Sequence, residues 1–324
     1  MILVTGGTGF VGRHVVRELE RLGHPVRVLA RSRDKADRSL KGTRAEVVIG
    51  DLFDTASLDA ACQGCHAVVH LVGIIFEKGA STFERVHVQG TRHVVEAARR
   101  AGIERFVHMS AIGTRPLSPS RYHTTKWQAE EVVRESGLLW TLFRPSVIYG
   151  PKDQFVQLFS MLMDPPLSWM ALNIMPCPYE GKSLMQPVTV DAVAAAFARA
   201  VGRPVTVGKV YDLCGPPIRL MDMLARLAEA KGLNPIESHA FLPALPFVLP
   251  YYALQGRHPV LVKVPGELVR ILAWFIEHFS PVAWMNSDQM LMLQEDQRGD
   301  AQPALIDLDV AVPPFEQGIA FLEN

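Results

Sequence analysis

The sequence predicts an α/β fold in two parts: a doubly wound parallel sheet first, then a smaller, mostly helical C-terminal lobe. Three observations carry this. Short apolar runs alternate with amphipathic helical stretches through the first 150 residues, a glycine-rich turn follows the first run directly, and the regularity ends after Gly150, where prolines accumulate.

Strand patterns lie at 1–5, 25–30, 45–49, 67–71, 105–109 and 140–143, and helical patterns at 11–22, 83–101 and 122–135. Strands separated by helical crossovers must pair in parallel, because a hairpin cannot join parallel neighbours. Right-handed crossovers then place helices on both faces of the sheet. Continuous apolar runs such as Ala67-Val68-Val69 fit strands buried on both sides. Beyond Gly150, Pro165, Pro166, Pro176 and Pro178 predict an irregular excursion over 161–180, since proline breaks helices and central strands alike. A helix at 193–201, introduced by Asp191, and a strand at 209–213 return the chain to the sheet. The expected division is therefore a sheet domain over 1–150, rejoined by 185–214, and a smaller lobe of 151–184 and 215–324, free to serve a substrate or an interaction. In that lobe the pattern continues with a helix ending at Lys231, a proline-punctuated apolar stretch over 241–254 and an apolar helix over 266–279.

At 324 residues the chain exceeds the roughly 250–300 at which single cores stop growing, in keeping with two lobes. Thirty-three basic residues balance 33 acidic ones, so no global field draws the protein to nucleic acid. The mean hydropathy of +0.13 is high and predicts that some apolar surface stays exposed. No run reaches the ~18 apolar residues of a spanning helix. Residues 242–254 and 268–279 are better read as pocket or core than as a partner surface or membrane face. The chain opens on an apolar strand, with no charged region and long apolar core of a secretion signal, which predicts a cytoplasmic protein. Four cysteines without a framework read as reduced thiols, and Cys62-x-x-Cys65 lacks the second pair that zinc needs, so no metal is expected.

Thr5-Gly6-Gly7-Thr8-Gly9-Phe10-Val11-Gly12 joins the first strand to the first helix, the context in which a glycine motif becomes informative. Glycines at 6, 9 and 12 permit a tight turn, close approach of a pyrophosphate and close helix–strand packing. The phosphate then meets unsatisfied N–H groups at the positive end of a helix. This is the signature of a Rossmann dinucleotide site, with Gly6, Thr8, Gly9, Phe10, Val11 and Gly12 against the cofactor. The second strand ends in Ala30-Arg31-Ser32-Arg33-Asp34-Lys35. Arg31 stands where an acid would hold a ribose hydroxyl, with Arg33 and Lys35 close behind, so the local charge favours the 2′-phosphate of NADP(H) over NAD(H).

The glycine turn, Gly50-Asp51-Leu52, Val68-Val69-His70-Leu71 and Arg144-Pro145-Ser146-Val147-Ile148-Tyr149-Gly150 together resemble the extended or atypical branch of the short-chain dehydrogenase/reductase superfamily. Within it, Arg85-Val86-His87-Val88-Gln89-Gly90-Thr91 and the late segment from Ser287 to Asp296 resemble bacterial relatives of the dehydrogenase-like accessory subunit of mitochondrial complex I. By that resemblance Asp51 and Leu52 border the adenine, His70, Leu71, Val72 and Gly73 run beneath the cofactor, and Pro145, Ser146 and Val147 flank the nicotinamide. His87 and Met109 complete the expected contacts.

The expected chemistry rests on Ser110, Tyr122 and Lys126. Tyr122-x-x-x-Lys126 puts both side chains on one helix face, after the strand that ends at Ser110. A tyrosine of ordinary pKa, about 10, is a poor base at neutral pH, and a neighbouring ammonium and oxidised nicotinamide favour its phenolate. Tyr122 would then exchange a proton with a substrate oxygen that Ser110 holds, while hydride moves at the nicotinamide. Epimerase or dehydratase chemistry would use the same triad. Many relatives carry asparagine where this chain has His87, which either relays protons or packs against the sheet. The leading expectation is an NADP(H)-dependent oxidoreductase acting on a carbonyl or alcohol of an apolar or mixed small molecule, as monomer or homodimer. Its rival is an NADP(H)-binding scaffold or assembly protein with little turnover, peripheral to the inner membrane or attached to a respiratory complex.

Overall fold

The computed structural model describes residues 1–153, 155–164, 174–178, 181–238, 258–266, 268 and 298–322. The chain divides into one unit of Met1–Ser146, Val190–Cys214 and Gly299–Ala311, and another of Val147–Thr189, Gly215–Arg298 and Val312–Asn324.

In the first unit the strands are β1 (Ile2–Thr5), β2 (Val26–Ala30), β3 (Glu46–Ile49), β4 (Ala67–His70), β5 (Arg105–Met109), β6 (Leu139–Pro145) and β11 (Lys209–Leu213). They form one parallel sheet in the order β11-β6-β5-β4-β1-β2-β3, so the order reverses beside β1, where the glycine turn leaves the sheet. Helix α1 (Phe10–Arg21) buries Val11, Val15, Val16 and Leu19, one stripe of a 3.6-residue period, and packs on α7 (Val190–Val201). A second set comprises α3 (Thr55–Cys62), α4 (Gly90–Arg100) and α5 (Arg121–Arg134). Their Leu58, Val94 and Val133 share a core with Leu3, Val68, Phe106 and Leu142 of the sheet. Helix α7 begins three residues before the predicted start, because Val190 and Ala192 are also buried.

Helices α2 (Arg33–Ser39) and α3 escaped the sequence pattern. Helix α2 buries only Ala36, and it and α3 are one to two turns long, too short to show a period. Side-chain caps hold both: Ser32 Oγ accepts from Lys35 N at 3.3 Å, and Asp54 Oδ1 from Ala56 N at 3.2 Å. The predicted helix over 83–101 opens with a π-helical turn, Glu84–Gln89, before α4. Such turns are uncommon and gather at functional sites.

At the foot of β5, Arg105 is a buried cation held by neutral acceptors. Its guanidinium donates to Leu139 O (2.6 Å), Thr141 Oγ1 (2.7 Å), Ala200 O (2.7 Å) and Thr206 Oγ1 (2.8 Å), and burial pulls its pKa down to about 10. This one side chain ties β5, β6 and α7 together. Arg105→Met leaves those acceptors without a donor and is expected to lower the unfolding free energy by about 3 kcal/mol in urea titrations. An unchanged midpoint would show that water replaces the clamp.

The division departs from the expected boundaries. The first unit ends at Ser146 rather than at 150, resumes at Val190 rather than at 185, and takes in 299–311 from the segment assigned to the second lobe. There α9 (Gln302–Leu308) covers β11, the edge of the sheet. Asp307 Oδ2 accepts from Tyr211 OH (2.6 Å) and Lys209 Nζ (2.7 Å), and its carbonyl accepts from Arg203 (2.7 Å). Covering an edge removes its unpaired backbone groups from competition with other chains.

The second unit pairs β7 (Ile148–Tyr149) with β10 (Val188–Thr189) in parallel and β9 (Leu184–Met185) with β12 (Ile218–Arg219) antiparallel. A third sheet orders β13 (Ile236–Ser238), β14 (Val260–Val264) and β8 (Ile174–Pro178). The stretch read as irregular thus contains a strand. Pro176 and Pro178 are tolerated because β8 lies at the edge of its sheet. Its core joins Met175 and Cys177 to Val156 and Phe159 of α6 (Phe155–Leu162), Met221 and Leu224 of α8 (Leu220–Ala230), Leu261, and Phe315 of α10 (Phe315–Gly318). Residues 242–254, 269–279 and 287–296, on which apolar lining and part of the resemblance were read, lie outside the described residues.

Candidate dinucleotide site

β1 ends at Thr5, and Gly6 turns the chain at φ +80°, in the left-handed region that favours glycine. Gly9 N donates to Gly6 O at 2.9 Å, closing the turn. A Cβ on Gly12 would collide with the Gly6 carbonyl, so only glycine lets α1 pack this closely on the turn. Helix α1 starts without a side-chain cap and without an acid in its first turn. Its leading N–H groups and positive dipole end are left for an anion.

Beside this turn lies a cavity of about 250 Å³. Thr5, Gly6, Thr8 and Gly9 form one wall, and Leu71, Val72, Gly73 and Ile74, which follow β4, form another. Arg31 and Lys35 line the β2 end, Gly50, Asp51, Leu52 and Phe53 the β3 end, with Ala30, Ser81 and Val86 around them. All these segments leave the carboxyl ends of parallel strands, where open α/β sheets bind ligands. A pyrophosphate fits this cradle of bare backbone, and the two cations suit a further phosphate.

Of the residues expected against the cofactor, Gly6, Thr8, Gly9, Arg31, Asp51, Leu52, Leu71, Val72 and Gly73 line the cavity. Phe10, Val11 and Gly12 begin α1 instead, with Val11 turned into the core. Arg33 does not line the cavity: it is the first residue of the Ser32-capped helix, and its guanidinium points to Val47 O at 3.4 Å. Lys35, two residues on, is the second cation there. Phe53, Ile74, Ser81 and Val86 were missed: the first three lie in loops with no distinguishing pattern, and Val86 belongs to the π-helical turn. Pro145 and Ser146 are tied into the first unit, where Ile112 N donates to Pro145 O (3.0 Å) and Ser146 N to Leu213 O (2.9 Å). Val147 belongs to the second unit.

Gly73 joins the cavity to the predicted triad. A Cβ there would stand 3.0 Å from Lys126 Nζ and 3.6 Å from His87 Nε2. Lys126 is buried in α5 and donates from Nζ to Met109 O at 2.9 Å. Burial pushes its pKa down to about 8 against the opposing pull of Glu130. Tyr122, one turn earlier, sets its ring edge-on to His87 and Phe83, with centroids 5.4 and 5.8 Å away. Ser110 Oγ donates to Thr114 Oγ1 at 3.2 Å.

His87 projects from the π-helical turn into this group. Its Nδ1 is 2.9 Å from Thr125 Oγ1, and its Nε2 lies 3.2 Å from Ile74 N and 3.1 Å from Ile74 O. Each neutral tautomer therefore finds a partner on both sides: a proton on Nε2 goes to Ile74 O, and a bare Nε2 accepts from Ile74 N. Burial, reinforced by the Lys126 charge, depresses its pKa to about 2, so it is neutral.

Cys62 and Cys65 are buried free thiols, and burial lifts Cys62 to about 12, which disfavours the thiolate that metal binding or redox exchange requires. Among the described residues no group of three or more His, Cys, Asp or Glu side chains is disposed to hold a metal, and no helix is long and apolar enough to cross a membrane.

A doubly wound parallel sheet with a phosphate cradle at its order reversal defines a dinucleotide-binding protein. Residues 6–158 match the model of a family described as NAD(P)H-binding. A 4-hydroxy-2-methyl-3-oxo-4-farnesyl-3,4-dihydroquinoline-1-oxide ketoreductase from Stigmatella aurantiaca is 30% identical over 254 residues, 71% of this chain and 73% of that one. The chain belongs to this NAD(P)-binding Rossmann family of the short-chain dehydrogenase/reductase type. A ceramide reductase of Caulobacter vibrioides is 39% identical over 153 residues, 47% of this chain and 48% of that one. Subunit 9 of the NADH dehydrogenase [ubiquinone] 1 alpha subcomplex of Arabidopsis thaliana is 31% identical over 275 residues, 82% and 65% of the two chains. The chain thus spans about half to two thirds of the length of those last two relatives. An NADPH-dependent quinone oxidoreductase of Escherichia coli, solved with NADPH, shares the fold at a TM-score of 0.74 and 19% identity, covering all of both chains.

Proposed function

We propose that the protein is an NADP(H)-dependent reductase that moves hydride between nicotinamide and a carbonyl or alcohol of an apolar or mixed small molecule. The observation that carries this reading is the pairing of Arg31 and Lys35 at one end of the cavity with Gly73, packed on Lys126, at another. The relatives named as reductases support the reaction class.

The chain's own residues divide the work. Arg31 and Lys35 neutralise the 2′-phosphate, and the first turn of α1 receives the pyrophosphate. When bound, the nicotinamide supplies or accepts the hydride. Ser110 turns its hydroxyl from Thr114 to the substrate oxygen, Tyr122 passes a proton to or from that oxygen, and Lys126 holds the positive charge that favours the phenolate. Gly73 leaves Lys126 room to approach: a Cβ there would stand 3.0 Å from Nζ and make it give way by a few tenths of an ångström.

Titration of the protein with NADPH and NADH, followed by cofactor fluorescence, tests the cofactor assignment. NADPH is expected to bind more tightly, and Arg31→Ala to weaken NADPH by about tenfold, or 1.4 kcal/mol, while changing NADH little. Equal affinities that are indifferent to Arg31→Ala would leave the basic end of the cavity as a solvated loop.

A second reading has one observation in its favour, the similarity to the NADH dehydrogenase subunit over 82% of this chain. In that reading the same site binds NADP(H) without turnover, and the protein serves as an assembly or scaffold component.

A further inference from the structure

Two loops leave the carboxyl ends of neighbouring strands and carry exposed apolar side chains. After β4 come Ile75 and Phe76, 44% and 46% exposed; after β5 comes Leu117, 96% exposed. The Glu77–Arg121 ion pair, 2.9 Å long, fastens the first loop to the start of α5, and Thr124 Oγ1 donates to Ser118 O, fastening the second. Leu117 also sits at φ +57°, a left-handed conformation that a leucine adopts only under constraint. Pro116 and Pro119 bracket it and limit its relaxation. A leucine in water and a strained backbone are two local costs, and an observed strain of this kind points to a function.

The charges around these side chains are one-sided. Residues 74–83 and 113–121 carry Lys78, Arg115 and Arg121 against one acid, Glu77, which is already paired with Arg121. Protruding apolar tips among basic residues match an anionic bilayer, where the tips enter the headgroup boundary and the cations meet lipid phosphates. A protein partner would demand a flat, larger apolar patch than two loop tips present.

We propose that Ile75, Phe76 and Leu117, with Lys78 and Arg115, form a docking face for an anionic lipid surface. This goes beyond the cofactor reading and does not depend on turnover. It places the rim of the cavity against the bilayer, since Ile74 lines the cavity and Ile75 and Phe76 follow it directly.

The test is co-sedimentation of the full chain with unilamellar vesicles of phosphatidylcholine alone or mixed with phosphatidylglycerol. The wild type is expected to pellet with the mixed vesicles, and Phe76→Ser combined with Leu117→Ser to lower that partition by about tenfold or more. Lys78→Gln combined with Arg115→Gln is expected to abolish the preference for phosphatidylglycerol. Leu117→Trp supplies a second readout, a blue shift of its emission on adding the mixed vesicles. Circular dichroism melts confirm that each variant folds, and NADPH titration of the same variants separates loss of this face from failure of the cofactor reading. Wild type that stays in the supernatant, or a serine double variant that pellets like wild type, overturns the proposal. Equal binding to phosphatidylcholine alone overturns the choice of an anionic surface.

Discussion

Tyr122→Phe is expected to lower reductase turnover by roughly 10²- to 10⁴-fold, the usual contribution of a positioned proton donor, while leaving NADPH affinity unchanged. The ring is held from three sides by Phe83, His87 and His123, and phenylalanine keeps all three contacts, so only the hydroxyl is lost. Stopped-flow oxidation of NADPH with a panel of ketones and quinones reads the chemical step. Because Lys126 titrates at about 8, turnover that relies on its ammonium is expected to decline as pH rises through that value. Lys126→Met removes that limb of the profile along with most of the rate. Equal turnover in wild type and Tyr122→Phe would exclude the hydroxyl from proton transfer and favour the scaffold reading.

The second large effect is on stability in acid. Thr5, His70 and His108 are cross-strand partners on β1, β4 and β5. His70 is bonded on both nitrogens, to Thr5 Oγ1 (2.6 Å) and Thr91 Oγ1 (3.1 Å), and its ring stacks on His108 at 5.3 Å. His108 is fully buried with neither ring nitrogen hydrogen-bonded. Around it stand His70 from β4, His87 from the π-helical turn, and Lys126 and Arg134 from α5, all of which oppose its protonation; the buried carboxylate of α5, Glu130, is engaged by Arg134 and Arg144. Burial and the Lys126 charge take His70 down to about 3, and burial above all takes His108 well below its usual range.

The sign follows from these shifts. Between about pH 6.5 and 3 the unfolded chain binds protons at these histidines and the folded chain does not, so stability is present above that window and is lost as pH falls through it. Each pKa unit is worth about 1.4 kcal/mol, and the loss reaches several kcal/mol by pH 4.5. Thermal melts from pH 7.5 downward should show the melting temperature falling steeply below about pH 6.5. His108→Phe keeps the stacked ring, removes two unpaired nitrogens and should both raise stability at pH 7.5 and flatten the acid limb. A melting temperature independent of pH, or an unchanged slope in His108→Phe, would mean that these rings find proton partners or water in the folded protein.

The sheet, the phosphate turn and the cation at Arg31 were legible in the sequence because each is local. A strand's apolar run, a glycine spacing and the residue ending β2 act within a few positions of one another. The same locality exposed Tyr122 and Lys126, one helical turn apart. What the tertiary structure decided depends on chain segments far apart in sequence. Lys35 rather than Arg33 reaches the cavity because Ser32 caps a helix too short to leave a pattern. Pro176 sits in a strand because that strand lies at an edge, and residues 299–311 return to the first unit because Asp307 meets Tyr211, Lys209 and Arg203. Most of all, the stacking of His70 on His108 and the meeting of Gly73 with Lys126 require the register of β4 against β5 and the seating of α5 on the sheet. Periodicity tells which face of an element is buried, but only packing tells which two faces meet.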